Sequence, residues 1–477
     1  MSVFPNLIAG EWRQSTAASV NINPSDLNDT IGEFAQASLQ DTRDAIAAAR
    51  EASRNWGLTT PQYRADILTR IAELLTQRTA ELGNLLAREE GKTIKEATGE
   101  VARSALLFRF YAGEVLRGPG ERYDSGRPGV EIQVSREPVG VVGLITPWNF
   151  PIGIPTWKIA PALAWGNAVV LKPADLVPAS AWELARIIHE AGVPAGVFNL
   201  VMGRGSVVGA EIVANRGVDA ISFTGSVATG AQILQGAAAR GAKVQMEMGG
   251  KNPLVVLDDA DLDTAVRVAL DGAFFQTGQR CTASSRLIVQ EGIHDQFVAR
   301  LQEALAEQVV DDARKDSTTI GPVVDEKQLA QDMRYIDIGR SEAKLAWGGE
   351  RLNRATPGYY LQPALFTEVS NQMTISREEI FGPVAGVIRV KSYDEALAVA
   401  NDTDFGLSAG ICTTSLKYAQ HFRRHAEAGM VMVNVPTAGG DYFAAFGGRK
   451  ASSYGSREQG RYAVEFYTTV KTTYQAG

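Results

Sequence analysis

Two textures alternate along the chain, and each predicts a different kind of element. Over residues 40–57 and 62–117 apolar side chains recur at helical spacing among Ala, Glu and Arg, as in Ile67, Ile71, Leu74 and Leu75, so both stretches predict packed helices. From Val139 the pattern changes to short β-rich runs at 139–145, 168–172, 197–201, 220–224 and 244–247. Each run is too short for a core helix, and together they predict parallel strands of one sheet. A second series follows at 254–257, 285–289, 360–366, 385–390, 408–413 and 430–433, interleaved with helical patterns at 261–276, 294–308 and 393–401. Such alternation predicts an α/β protein with largely parallel sheets. The Gly249-Gly250 pair between the two series predicts a hinge. Residues 118–135, rich in Gly, Pro and charge and ending β-like in Glu131-Ile132-Gln133-Val134, and the β-like run Phe466-Tyr467-Thr468-Thr469-Val470 belong to neither series. Isolated strands of this kind must pair with each other or with another subunit.

Composition narrows the class. The 477 residues are 45% apolar, enough for two or three domains with real cores. With 47 Lys+Arg against 54 Asp+Glu the net charge is −7, which provides no field for nucleic acid or an anionic membrane. The N-terminus Met1-Ser2-Val3-Phe4-Pro5-Asn6 lacks the positive flank and apolar stretch of a secretory signal. The most apolar region, 139–165, is broken by Pro147, Pro151, Pro155 and Pro161 and cannot cross a bilayer as one helix. Only two cysteines occur, Cys281 and Cys412, too few for a disulfide framework. A cytoplasmic protein is expected.

Several motifs offer chemistry. Gly203-Arg204-Gly205-Ser206-Val207-Val208-Gly209 follows a strand pattern and opens a helix, but its third glycine comes one residue late for a dinucleotide fingerprint. Phe223-Thr224-Gly225-Ser226 runs from a strand into a helix that Ser226 can cap, leaving backbone N–H groups for a pyrophosphate. Gly406-Leu407-Ser408-Ala409-Gly410 matches a serine-hydrolase elbow, with His421 and His425 downstream, yet β-prone residues follow where a helix is required. Cys281, in Thr277-Gly278-Gln279-Arg280-Cys281-Thr282, lies in a polar segment between a helix and a strand; Arg280 beside it predicts a lowered thiol pKa. Cys412, inside an apolar strand pattern, reads as core. A thiolate attacking a carbonyl needs an oxyanion donor, and a thioester needs a water activated by a base. Asn149, between Pro147 and Pro151, and Glu247, at a strand end beside the glycine pair, have the right chemistry.

Taken together these residues resemble the aldehyde dehydrogenase superfamily over essentially the whole chain. Met246-Glu247-Met248-Gly249-Gly250-Lys251 is similar to its glutamate signature and Gly278-Gln279-Arg280-Cys281 to its cysteine signature, 34 residues apart (281 − 247) as in the family. Pro147-Trp148-Asn149-Phe150-Pro151, Leu171-Lys172-Pro173-Ala174, Phe223-Thr224-Gly225-Ser226, Glu378-Glu379-Ile380-Phe381-Gly382-Pro383 and Phe446-Gly447-Gly448 also resemble family motifs, in the family order. The resemblance implies a Rossmann-like cofactor domain (1–117 and 138–249), an α/β catalytic domain (250–457) and a small β oligomerisation flap (118–137 and 458–477) paired between subunits of a homodimer or homotetramer. It implies Cys281 as nucleophile, Asn149 as oxyanion donor and Glu247 as the base that activates water. Trp148, Lys172, Asp175, Gly225, Ser226, Glu379 and Phe381 would bind NAD or NADP; the Gly203 turn is then scaffold. No metal is expected.

Arg103, Phe150, Ile154, Trp157 and Arg280 would line the substrate tunnel by position. Two arginines there suit a carboxylate on the aldehyde. The C-terminal stretch is similar to 2-oxoglutarate semialdehyde (2,5-dioxopentanoate) dehydrogenases, with succinate semialdehyde as the competing substrate. An acid at Asp175 repels a 2′-phosphate but is one methylene shorter than the usual glutamate, so both dinucleotides stay open. A CoA-acylating enzyme and a non-catalytic binding protein are the alternatives from other classes; an intact Cys281, Glu247 and Asn149 argues against the second.

Overall fold

The computed structural model describes residues 3–118 and 120–477. Met1, Ser2 and Pro119, which fall within the expected 1–117 and 118–137 segments, lie outside the described residues.

The first sheet has eight strands, in the order Glu11–Arg13, Asn6–Ile8, Phe198–Leu200, Ala168–Lys172, Val141–Ile145, Ala220–Thr224, Lys243–Glu247 and Ser453–Tyr454. The five from Phe198–Leu200 to Lys243–Glu247 run parallel. Their alternating side chains serve two cores: Val142, Leu144, Val169 and Leu171 enter one, while Val141, Ile145, Ala168 and Val170 enter the other. A sheet covered on both faces needs such all-apolar strands. The chain moves outward from Val141–Ile145 through two neighbours, then returns to its other side with Ala220–Thr224. That reversal opens a crevice at the C-terminal ends of these two strands.

The second sheet has seven strands, ordered Lys344–Trp347, Ala364–Thr367, Val384–Val390, Arg286–Gln290, Pro253–Val256, Ser408–Cys412 and Met430–Val433, all parallel except the first pair. Cys412 is buried in one of its cores.

The stretch expected to be helical over 62–117 is three helices, broken at Arg78 without a side-chain cap and after Glu90 by stop and start signals in the sequence. Thr60 caps Pro61–Gln77. Thr79–Glu90 ends on Gly91 in the left-handed conformation (φ 92°), and a Thr93/Glu96 capping box starts Ile94–Glu114. The Gly203 motif opens a single π turn, Gly205–Gly209, and a five-residue helix, with Gly203 packed on Ala37. The strands before residue 37, including the antiparallel pair Ala17–Asn23 and Asp26–Gln36, were not predicted, because their short polar-interrupted runs show no clear period.

Thr468–Ala476, Val130–Pro138 and Glu121–Asp124 form a separate three-stranded antiparallel arm. Of the two pairings expected for isolated strands, with each other or with another subunit, the first is seen within the chain, in nine-residue register from Thr468↔Pro138 to Ala476↔Val130. Among the described residues the outer edge of Thr468–Ala476 is unpaired, with Val470 and Tyr474 exposed.

Candidate active site

The chain crosses from the first sheet to the second through Met248-Gly249-Gly250-Lys251-Asn252, and this crossing is the floor of the site. The two glycines have a packing reason beyond a hinge. A Cβ on Gly249 would lie 2.1 Å from Glu379 Oε2, and one on Gly250 would lie 2.4 Å from the Cys281 carbonyl oxygen. Gly250 N–H donates to Glu379 Oε1 at 2.8 Å, and Asn252 Nδ2 donates to the carbonyls of Cys281 (2.7 Å) and Ala283 (2.9 Å). The bare backbone therefore draws the thiol loop and the Glu379 carboxyl onto one strip of chain.

The thiol loop itself is strained. Gln276, Thr277 and Gly278 are successively left-handed, with φ of 52°, 56° and 64°. For the two non-glycine residues this costs about 1 kcal/mol or more each, so it persists only where neighbours over-determine it. Here they do: Gln276 N–H donates to Glu96 Oε1 (2.9 Å), Gln276 Nε2 to the Asn149 carbonyl (2.8 Å) and Thr277 Oγ1 to the Gly321 carbonyl (2.9 Å). Asn149 is tied into the same loop, its Nδ2 donating to Gln279 O at 3.1 Å and its carbonyl accepting from the buried Lys92 Nζ at 2.8 Å. Lys92 pairs at 2.6 Å with Glu100, whose other oxygen accepts from Ile152 and Gly153 N–H at the start of helix Gly153–Ala164.

Two cavities meet at Cys281. One, about 360 Å³, occupies the crevice predicted by the strand reversal and is lined by Pro147, Trp148 and Asn149 after one strand and Thr224, Gly225 and Ser226 after the other, with Gly249, Glu379 and Phe381 opposite. It suits a dinucleotide. Ser226 caps helix Val227–Ala238 through Thr229 N–H, leaving other N–H groups at the helix start free for a pyrophosphate. Thr224 Oγ1 is buried without a partner. Trp148 and Phe381 meet edge to face at 5.4 Å, and Gln328 and Gln331 hold the Glu379–Phe381 loop through the Ile380 carbonyl. The second cavity, about 120 Å³, is mostly apolar and lined by Arg103, Phe150, Trp157 and Phe446 among others.

The expectations for Arg280, Ile154 and the Cys281 thiol are corrected. Arg280 does not face the tunnel: its guanidinium binds the Asp271 and Gly272 carbonyls at the end of helix Leu262–Phe274 and pairs with Asp271 at 3.5 Å, because those last helical carbonyls lack intrahelical donors. Ile154 lines the crevice rather than the tunnel. The thiol of Cys281 is not acidified; burial, with the charges of Glu379 and Glu247, pushes it up to about 12, and Arg280 opposes this only weakly. Lys172 and Asp175 line neither cavity; Lys172 Nζ is bound to Asp175 Oδ1 at 2.8 Å beside the crevice, where Thr146 N–H meets the Lys172 carbonyl. Ser408 is a fully buried strand residue, and His421 is bound to Tyr393, so no serine-hydrolase elbow exists there.

Glu247 is buried, and its Oε2 accepts from Ser453 Oγ at 2.6 Å. Burial and the charge of Glu458 raise its pKa well above the carboxylate range, with Ser453, Lys158 and Arg457 pulling the other way. Glu458 forms an ion pair with the buried Lys158, which also donates to Ser222 Oγ at 2.7 Å. Burial likewise pushes Glu379 up to about 7. Sequence reasoning missed Lys92, Glu100, Lys158, Glu458 and Ser453. A charge inside an apolar helical pattern, as in Trp157-Lys158-Ile159, was the available signal for Lys158. Among the described residues, no cluster of three or more His, Cys, Asp or Glu is placed to hold a metal ion, and no helix is long and apolar enough to cross a membrane.

Comparison with known proteins extends the picture. Residues 12–473 match the aldehyde dehydrogenase family. The chain is similar to the alpha-ketoglutaric semialdehyde dehydrogenase of Bacillus subtilis (strain 168), 44% identical over 99% of this chain and 98% of that protein. It superposes on betaine aldehyde dehydrogenase from Staphylococcus aureus, solved in complex with NAD+, with a TM-score of 0.96 at 33% identity over 99% of this chain and 95% of the other. It superposes equally on an NADP dependent enzyme of E. coli, with a TM-score of 0.96 at 37% identity over 100% and 98% of the two chains.

Proposed function

The chain belongs to the aldehyde dehydrogenase family, and we propose that it oxidises a carboxylate-bearing aldehyde, 2-oxoglutarate semialdehyde by preference, to the acid. The observation that carries this reading is Arg103. Its guanidinium lies in the tunnel with a single long side-chain hydrogen bond, to Gln459 Oε1 at 3.4 Å, and no carboxylate pairs with it among the described residues. Burial lowers its pKa while Asp441 raises it. A cation desolvated without a counter-ion is costly, and a substrate carboxylate in a bidentate fork offsets that cost. The name carried by the Bacillus subtilis relative agrees.

In this reading Cys281 attacks the aldehyde carbon, and the oxyanion is held by Asn149 Nδ2 and the Cys281 backbone N–H. Bound in the crevice against Trp148, Gly225, Ser226, Glu379 and Phe381, NAD+ or NADP+ supplies the hydride acceptor that turns the thiohemiacetal into a thioester. Lys172, once released from Asp175, takes the adenosine ribose hydroxyls. Glu247 then accepts a proton from water as the water oxygen bonds to the acyl carbon and the C–S bond breaks, releasing the Cys281 thiolate, which takes up that proton to return the thiol. Water, not CoA, is the acyl acceptor. Residues 1–117 and 138–249 form the cofactor unit and 250–457 the catalytic unit, although Ser453–Tyr454 add a strand to the first sheet. The arm, 118–137 and 458–477, offers its free edge to a second subunit in a homodimer or homotetramer, and the two free cysteines suit the cytoplasm.

The test is a panel of aldehydes with NAD+ and NADP+, followed at the reduced-nicotinamide band, on wild type and Arg103→Ala. The variant should raise KM roughly 10–100-fold for carboxylated aldehydes, a lost charge-assisted pair, and leave uncharged aldehydes of equal length nearly unchanged. Equal effects on both remove the anion site. Faster turnover of succinate semialdehyde than of 2-oxoglutarate semialdehyde transfers the assignment to the shorter substrate.

A further inference from the structure

The carboxyl group of Glu247 has a partner placed for it by sheet register. Ser453 stands directly opposite Glu247 in the antiparallel pair that closes the first sheet. Ser453 Oγ accepts Gly448 N–H at 2.7 Å and stands 2.6 Å from Glu247 Oε2. With one lone pair engaged by that N–H, the hydroxyl proton is aimed at the carboxylate. The other carboxylate oxygen lies against Gly447, where a Cβ would sit 2.9 Å from Glu247 Oε1 and 2.7 Å from Arg457 Nη1. Held in this way, Glu247 lines neither cavity, although Met248, Gly249 and Cys281 all line the crevice. A base acting on a thioester at Cys281 has to leave that position.

We propose that Ser453 is a positioning residue that parks the Glu247 carboxyl clear of the thiol during acylation and releases it for hydrolysis of the thioester. This rests on the reading of Glu247 as the base. The hydroxyl donates, so it favours the ionised carboxyl. The charged and titratable groups facing that carboxyl are Glu458, which opposes its ionisation, Lys158 and Arg457, which favour it, and the Cys281 thiol. Removing the hydroxyl alone leaves all four in place. The proton then binds Glu247 more tightly, and the carboxyl is no longer held away.

The experiment compares Ser453→Ala and Ser453→Thr with wild type between about pH 6 and 9. Formation of the acyl-enzyme is read as the burst of reduced nicotinamide, and its hydrolysis by rapid quench of the covalently labelled enzyme. In Ser453→Ala the burst rate should stay within about two-fold, while the pH midpoint of hydrolysis moves up by about one unit, the worth of one hydrogen bond to a charged group. Above that midpoint hydrolysis should be at least as fast as in wild type. Ser453→Thr, which keeps the hydroxyl, should restore the wild-type midpoint. A midpoint unmoved in Ser453→Ala, or moved equally in Ser453→Thr, overturns the proposal, and so does a loss of both phases at every pH, which marks a merely structural role. Glu247→Gln separates the underlying reading: wild-type turnover in that variant removes the base itself, whereas arrest after one equivalent of reduced nicotinamide keeps it.

Discussion

The two cavities that meet at Cys281 are built on different principles. The dinucleotide-side crevice is made of chain ends: short contiguous runs leaving adjacent parallel strands, glycines where the backbone must come close, and a helix start with free N–H groups. The aldehyde-side tunnel is made of side chains from scattered segments, Arg103 and Leu107 on one helix, Phe150 and Trp157 after a strand, and Phe446 and Gln459 near the C-terminus. In the proposed function, a ligand shared by many enzymes is held by backbone and fold, and a particular substrate by a few side chains. Damage to the first should act on every aldehyde alike, and damage to the second on one class only.

The largest effect is expected at the meeting point. Cys281→Ala should lower turnover by about 10³-fold or more for all aldehydes while dinucleotide binding, followed by tryptophan fluorescence, persists; loss of both would mean the cavities are not independent. Gly249→Ala comes next, because the new methyl collides with Glu379 Oε2. It should raise KM for the dinucleotide by about 10-fold or more and change aldehyde selectivity little; an unequal effect across aldehydes would contradict the division. Smaller is the electrostatic coupling across the boundary. The thiol pKa is raised by burial first and then by Glu379 and Glu247, so the thiolate fraction, and alkylation by iodoacetamide, should climb with pH up to about 12. Removing a negative charge stabilises the thiolate; Glu379→Gln should therefore speed alkylation at neutral pH, and slower alkylation would reverse the assigned sign. The smallest effect is Arg280→Ala, which should cost about 1–2 kcal/mol of stability through the lost bonds to helix-end carbonyls and leave KM for carboxylated aldehydes within about two-fold. A selective rise in that KM would return Arg280 to the tunnel.

How far the sequence could be read follows the same division. The parallel strands of both sheets were legible because a two-faced parallel strand is apolar at nearly every position; the break at Gly91 was marked by a left-handed glycine and a capping box that the helical texture of 62–117 concealed, and the break at Arg78 carries no side-chain cap. The Asn149, Cys281 and Glu247 settings stood out as polar residues at the ends of apolar runs. The roles of neighbouring charges did not. Arg280, adjacent to Cys281 in the chain, turns toward a helix end, and Ser453, remote in the chain, reaches Glu247 across a sheet.

Periodicity, glycine and proline placement and the order of motifs were enough to establish an α/β chain, its two series of strands and a cysteine set apart in a polar segment, since these depend on local backbone preference and on which residues can be buried. Where each long side chain points, whether a thiol is acidified or suppressed, and which arginine lacks a counter-ion were decided only when distant segments packed together. Burial and the nearest charges set those properties, and neither is a property of neighbours in the chain.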